Sequence, residues 1–371
     1  MSNYFGKQLT VSIFGESHGP AIGVVISGLA AGIPLDLDLI RQQLALRRPQ
    51  GRISTARQEQ DEFELLSGYF QGHTTGTPLT ICIPNRAQSS KDYEKTKYLL
   101  RPGHADFTAF EKYGGYQDYR GGGHFSGRLT APLVAAGAVC RQLLQNHGIL
   151  IGTHLECCGG IADATFAQDV AVCQKQVETL NQQYFPTISE SQGEAMQQAI
   201  LAAQRQGDSV GGILETVVLG MPTGIGEPFF DSIESTLAHL LFSIPGVKGV
   251  SFGLGFDFAA QKGSVANDAF FMEQGNIRTK TNHNGGVNGG ISNGMPIVIH
   301  SVVKPTPSIY QKQNTVDYQK KTDATLQIVG RHDPAIIHRA RVVADSMVAI
   351  GLVDLCCQRF GVAWQLSNQA K

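Results

Sequence analysis

Along most of the chain, apolar residues come in short β-branched runs separated by polar or glycine-rich stretches. In two places they close up into long, almost wholly apolar segments. The runs LTVSIF at 9–14 and IGVVISGL at 22–29 predict a pair of strands, and 63–66, 79–83, 149–158, 212–219, 249–256 and 296–303 read the same way. Residues 36–48 predict a helix with apolar positions at 37, 40, 44 and 46, stopped by Pro49. Amphipathic helices fit 167–183 and 189–206, and a further helix fits 231–242. The two apolar segments, 126–147 closed by Gly148 and 335–359, predict helices that are buried on most of their surface. Polar, unpatterned stretches at 47–60 and 85–97 predict loops that are unordered before a ligand binds. Paired strands with buried helices between the sets indicate α+β architecture, and no break in composition divides the 371 residues, so residues 1–371 are expected to form one domain.

Composition narrows the function. A hydrophobic fraction of 42% with 16% charged residues describes a core-forming protein, and a net charge of −1 lacks the broad basic field of a nucleic-acid or membrane-surface binder. No stretch has the order of a signal peptide and no apolar run reaches the ~18–20 residues of a membrane span, so a cytoplasmic protein is expected. The seven cysteines include the adjacent pairs Cys157-Cys158 and Cys356-Cys357, a pattern of buried reduced thiols rather than of disulfides or zinc ligands. Glycine is the outlier, at 43 residues. It clusters in 15–32, 121–127, 246–255 and 285–294, where the backbone is expected to turn tightly or approach a ligand.

Four regions concentrate polar, titratable and glycine residues: GESHG (15–19), RPGHAD (101–106) with DYRGGGHFSGR (118–128), HNGGVNGGISNG (283–294) with KPTPS (304–308), and GRHDP (330–334). The first fits the G-x-S-x-G nucleophile elbow, but an elbow needs a helix directly behind the serine, and here a second strand-like run follows Pro20. Arg120 and three glycines feeding Ser126 and the buried helix place backbone N–H groups at a helix N-terminus, an anion site. Lys304 with Thr306 and Ser308 is a second candidate phosphate grip, the glycines at 285–290 could let a flat ring lie against backbone, and Arg47, Arg48 and Arg52 suit a polyanionic substrate. His18, His104 and His332 stand in loops beside glycine or acidic residues, which favours proton transfer. No spacing suits zinc, and no metal is expected. The residues alone describe an enzyme with a phosphorylated flat cofactor, an anionic substrate and histidine acid–base groups.

FGESHG, RRPQGR, TTGTP, RPGHAD, DYRGGG, VKGV, GGISNG, KPTPS and GRHDP, in this order and spacing, closely resemble the chorismate synthase family over essentially the whole chain. The resemblance implies a β-α-β sandwich with internal pseudo-symmetry, assembled as a homotetramer. It implies conversion of 5-enolpyruvylshikimate 3-phosphate to chorismate and phosphate in aromatic amino acid biosynthesis, a 1,4-elimination that needs reduced FMN without net redox change. Carried over by motif, His18 protonates the leaving phosphate, His104 lies near the flavin ring, Asp333 is tied to deprotonation at the flavin, and Ser17 and Ser126 hydrogen-bond in the site without forming an acyl-enzyme. Arg47 and Arg52 match phosphate- or nucleotide-contacting arginines. His124, Phe125, Ser126, Pro245, Gly246, Gly289, Lys304, Pro305, Thr306, Pro307, Ser308 and Arg331 match flavin contacts. Many members read RGGGRSSARET where this chain reads RGGGHFSGRLT, so contacts at 124 and 125 are expected through backbone more than side chain. No segment is long enough for a built-in flavin reductase. A monofunctional enzyme is expected, supplied by an external reductase or reductant, with NADPH acting only indirectly. The rival readings are a flavin oxidoreductase, which lacks a strand-G-x-G-x-x-G-helix unit here, and a non-catalytic phospholigand-binding relative.

Overall fold

Two five-stranded antiparallel sheets face each other across a pair of long helices. In the first sheet the order is Tyr4–Phe5, Thr10–Gly15, Ala21–Ser27, Leu79–Pro84, Glu64–Ser67. In the second it is Ile161–Ala162, Leu150–Cys158, Gly212–Leu219, Ile297–Val303, Val247–Phe252. This computed structural model describes residues 3–54, 60–86, 96–328 and 332–366. Much of the polar stretch at 85–97 and part of that at 47–60 lie outside the described residues, as does Arg331.

The helices Thr130–Asn146 and Ile337–Phe360 fill the middle layer. The first packs on Ala21–Ser27 and Leu79–Pro84, the second on Leu150–Cys158 and Gly212–Leu219, and the two pack on each other. Gly137 makes that last contact close. A Cβ there would stand 2.2 Å from Cβ of Ser346 on the facing helix. The burial follows from the sequence: every residue from Ala340 to Cys357 is buried, so this helix has no polar face to give to solvent. Its few polar groups are satisfied inside. Asp345 receives Arg141 at 3.0 Å, Arg341 at 3.2 Å and Thr153 at 2.6 Å. Asp354 receives the backbone N–H groups of Lys7, Gln8 and Leu9 at 3.1, 2.7 and 2.9 Å.

The expected pseudo-symmetry is visible in the topology. Each half runs as two paired strands, a helix, an edge strand, and a return strand that inserts between them, closing on a central helix. Leu37–Arg47 in the first half corresponds in order to Ile233–Phe242 in the second. The first of these is capped by Asp36, whose side chain accepts from Asp38 N and Leu39 N. The second half carries an insertion between its paired strands, the helices Val170–Leu180 and Glu190–Arg205, which cover the outer face of the second sheet.

The predicted elements are present with ends moved by no more than four residues. One of the largest shifts is at the start of the first central helix. It begins at Thr130, not 126, because Gly121, Gly122 and Gly123 all take positive φ (59°, 87° and 53°) and a short 3₁₀ turn, Gly127–Leu129, stands between them and the helix. The histidines at 73, 147, 154, 239, 300 and 338 read from the sequence alone as residues of turns or element ends, and four of them lie there. His154 and His300 do not: both sit mid-strand, on the outer face of the second sheet. His154 is fully buried between Glu215 (2.7 Å) and Asp163 (3.3 Å), and His300 lies 2.8 Å from Glu156. All seven cysteines are free, and burial pushes the Cys158 thiol up to about 12.

Candidate active site

The loops that precede the two central helices meet at one end of the sandwich and enclose a cavity of about 840 Å³, within the range of small-ligand sites. It is walled by Arg47 and Arg48 at the end of the first helix, by Arg101 to Asp106, by the glycine loop from Gly121 to Thr130, by Pro245 to Lys248, by Lys304 to Pro307, and by Asp333 and Arg339. Arginine and lysine outnumber carboxylates around this wall, so it is suited to a multiply charged anion.

Several of the cations are oriented by local partners. Arg101 makes a two-pronged ion pair with Asp106 (2.8 and 2.7 Å), and Arg120 does the same with Asp118 (2.8 Å each). Lys304 donates to Gly103 O at 2.7 Å, which joins KPTPS of the second half to RPGHAD of the first. His104 Nε2 lies 2.7 Å from Ser308 Oγ. Burial lowers the His104 pKa, and Arg101, Lys304 and His332 add to this against the opposing pull of Asp106, so it stands at about 4. The ring is therefore neutral at neutral pH.

The glycine loop presses on the GESHG hairpin. Ser17 N donates to Gly123 O at 3.1 Å, and His124 Nδ1 is 2.8 Å from Gly15 O. Ser17 and His18 are both buried, directly behind Gly121: a Cβ on Gly121 would come within 2.2 Å of His18 Cε1 and 3.1 Å of Ser17 Oγ. Ser126 Oγ accepts from Arg128 N at 3.3 Å and so caps the 3₁₀ turn. Phe125 is 43% exposed, with its ring 6.1 Å from that of Tyr113. On the far wall, Asp333 accepts from Arg339 Nη1 at 2.7 Å, and Arg339 Nε donates to Arg47 O at 2.8 Å.

Of the sequence-derived site residues, His104, His124, Phe125, Ser126, Pro245, Gly246, Lys304, Pro305, Thr306, Pro307, Asp333, Arg47 and Arg48 line this one cavity. Ser17, His18 and Ser308 stand in the layer immediately behind it. Arg52 is exposed outside the wall, and Gly289 lies in the hairpin turn between Val287–Asn288 and Ile291–Ser292, also outside it. Sequence reasoning missed Asp61, whose buried carboxylate receives Arg47 and Arg128, and Asn85, which donates to Glu16 O and Gly19 O. It also left Arg101, Arg128, Lys248 and Arg339 unassigned. Arg101, Arg128 and Lys248 sit inside quoted motifs and could have been found there. Asp61 lies in an unpatterned polar stretch that offered no signal.

An α+β sandwich whose two halves jointly build a cationic, histidine-bearing cavity defines an enzyme acting on an anionic small molecule. The model of the chorismate synthase family matches residues 9–357. The chorismate synthase of Thermococcus kodakarensis is 43% identical over 360 residues, covering 97% of this chain and 98% of that protein. That of Dehalococcoides mccartyi strain BAV1 is 44% identical over 359 residues, 96% of each. A chorismate synthase crystal structure superposes with a TM-score of 0.77 at 27% identity, covering 98% of both chains. The chain belongs to the chorismate synthase family.

Proposed function

We propose that this protein, as a single catalytic domain over residues 1–371, converts 5-enolpyruvylshikimate 3-phosphate to chorismate and inorganic phosphate with reduced FMN present and no net redox change. The observation that carries this reading is the convergence of His104, Lys304 and Asp333 on one cation-walled cavity, with His18 directly behind it. The residues fit the flavin. The cavity volume suffices for substrate and a flat ring together, Lys304 is available to a phosphate, and in the glycine loop a Cβ on Gly121 or Gly123 would collide with His18 or with the Asp118 carbonyl.

The reaction breaks the bond from an allylic carbon to the phosphate oxygen and removes the C6 proton. Arg47, Arg48 and Lys304 would hold the departing phosphate and stabilise the charge that grows on it. His18 would give that phosphate a proton. Reduced flavin, if held by Lys304 and the loop from Gly121 to Thr130, would supply electron density to the developing cation. His104, neutral and fixed by Ser308, would face the ring, and Asp333, held by Arg339, would serve the proton transfer from C6. Ser17 and Ser126 would contribute hydrogen bonds only.

The reduced flavin would come from outside, through a separate reductase or chemical reductant, with NADPH consumed only there. A cytoplasmic homotetramer is part of the same reading. Among the described residues no helix is long and apolar enough to cross a membrane. The test is anaerobic: protein, substrate and chemically reduced FMN, with chorismate absorbance and free phosphate followed together. Equal amounts of both, with the flavin still reduced, are expected. Absence of both products although FMN binds would overturn the reading.

A further inference from the structure

Asp61 lies under the cavity floor, with no solvent exposure at its side chain. Its Oδ2 accepts from Arg47 Nη2 at 2.9 Å and its Oδ1 from Arg128 Nη1. Both arginines line the cavity and are themselves almost wholly buried, at 7% and 6% side-chain exposure. Two buried guanidinium groups thus share one buried carboxylate, whose negative charge offsets part of theirs.

The pairing is one link of a longer chain. Asn85 Nδ2 donates to Glu16 O (3.1 Å) and Gly19 O (2.9 Å), and Arg128 Nε donates to Asn85 Oδ1 (3.1 Å). Arg128 and Arg47 meet on Asp61, Arg47 O accepts from Arg339 Nε (2.8 Å), and Arg339 Nη1 holds Asp333 (2.7 Å). The loop that carries His18 is thereby connected to Asp333, 315 residues later in the sequence. Asp61 also has φ of +51°, a left-handed conformation that is strained for a non-glycine residue. Such a conformation persists only where the surroundings fix it, and here the two arginines do so.

We propose that Asp61 is a positioning residue: it fixes Arg47 and Arg128 where they meet the phosphorylated substrate, and it sets the net charge of the floor. This rests on the function proposed above. Two substitutions separate the two roles. Asp61→Asn keeps the shape and removes the charge, so the two arginines are no longer balanced. Asp61→Glu keeps the charge and moves it by one methylene.

The experiment is turnover by both variants, together with calorimetric titration by inorganic phosphate at several salt concentrations. Asp61→Asn is expected to bind phosphate severalfold more tightly than the parent, with a steeper salt dependence, yet to lose at least tenfold in kcat. Asp61→Glu is expected to bind phosphate within about twofold of the parent and also to lose about tenfold in kcat, in line with the cost of small misplacements in an active site. A merely structural carboxylate would lower kcat in proportion to the folded fraction and leave phosphate affinity unchanged. That result, or kcat within twofold of the parent in Asp61→Glu, overturns the proposal. If Asp61→Asn does not fold, the Asp61→Glu arm decides alone. If the parent protein itself does not form chorismate, the proposed function fails, while the phosphate titrations still report whether Asp61 balances the arginines.

Discussion

His104 and Ser308, 204 residues apart in sequence, stand 2.7 Å from each other at the cavity wall. One belongs to the loop before the first central helix and the other to the strand exit before the second. Their contact fixes which way the imidazole faces, and burial with its cationic neighbours keeps the ring unprotonated above about pH 4.

An anion placed beside a neutral, buried histidine raises its proton affinity. Phosphate or FMN binding between pH 5 and 7 is therefore expected to be accompanied by proton uptake, by linkage. Titration calorimetry in buffers of different ionisation enthalpy measures it. The uptake should largely vanish in His104→Asn, whereas Ser308→Ala should keep the uptake and lose roughly 3–10-fold in kcat, the worth of one hydrogen bond. No uptake in the parent protein would mean that no bound anion reaches His104.

Gly121→Ala should be more damaging to catalysis than to stability. The added Cβ would strike the His18 ring at 2.2 Å, and φ of +59° strains any other residue. A loss of about 1–2 kcal/mol in unfolding free energy is expected from the backbone. A drop on the order of a hundredfold in kcat is expected from displacement of His18. Thermal unfolding and steady-state kinetics on the same preparation separate the two.

Lys304→Met removes a charged donor that both ties Gly103 in place and faces the cavity. Loss of a charge-assisted contact corresponds to roughly 10–100-fold weaker phosphate or FMN binding. Fluorescence titration with FMN checks this, and equal affinity in the variant would place the phosphate elsewhere.

His154 gives a stability prediction remote from the site. Burial disfavours its charge, but hydrogen bonds and attraction to Asp163 and Glu215 outweigh this, so its folded pKa is raised above the ordinary 6.5. A base with a raised folded pKa contributes stability that is full below about pH 6.5 and is lost as pH climbs through the folded value. Denaturant midpoints should therefore fall as pH rises above neutrality, and His154→Ala should flatten that slope while costing about 3–5 kcal/mol at pH 6 by leaving two buried carboxylates without their cation, although backbone N–H groups still reach both. A slope identical in both proteins would contradict the assignment.

Much of the fold was legible because its signals are local. The near-continuous apolar run over the last helix announced burial, and Asp36 and Gly148 marked helix ends by backbone chemistry. The motif-bearing loops were legible as sites because glycine, histidine and acid stand together within a few residues. The short strands Ala31–Pro34, Tyr69–Phe70 and His73–Thr75 and the hairpins at 270–279 and 313–326 were not legible, since they alternate weakly and take their pairing from neighbours. His154 resembled a turn residue because only Glu215 and Asp163, brought by other segments, make a charged group tolerable inside a strand. Asp61 was invisible for the same reason: its partners lie 14 residues before and 67 residues after it, and nothing in the polar stretch around it distinguishes one acid from another.

Asp354 has a consequence for synthesis. The backbone N–H groups of residues 7–9 are made some 345 residues before their acceptor. At ~5–20 residues per second, that separation is of the order of 17–70 s during which that turn has no acceptor and the first central helix lacks the second one that packs on it. Until then the first central helix, already packed on the first sheet, must leave uncovered the face that it later presents to the second central helix. For this chain, the speed of elongation and the presence of a holding chaperone bear on yield more than they would for a protein whose ends close on their own neighbours.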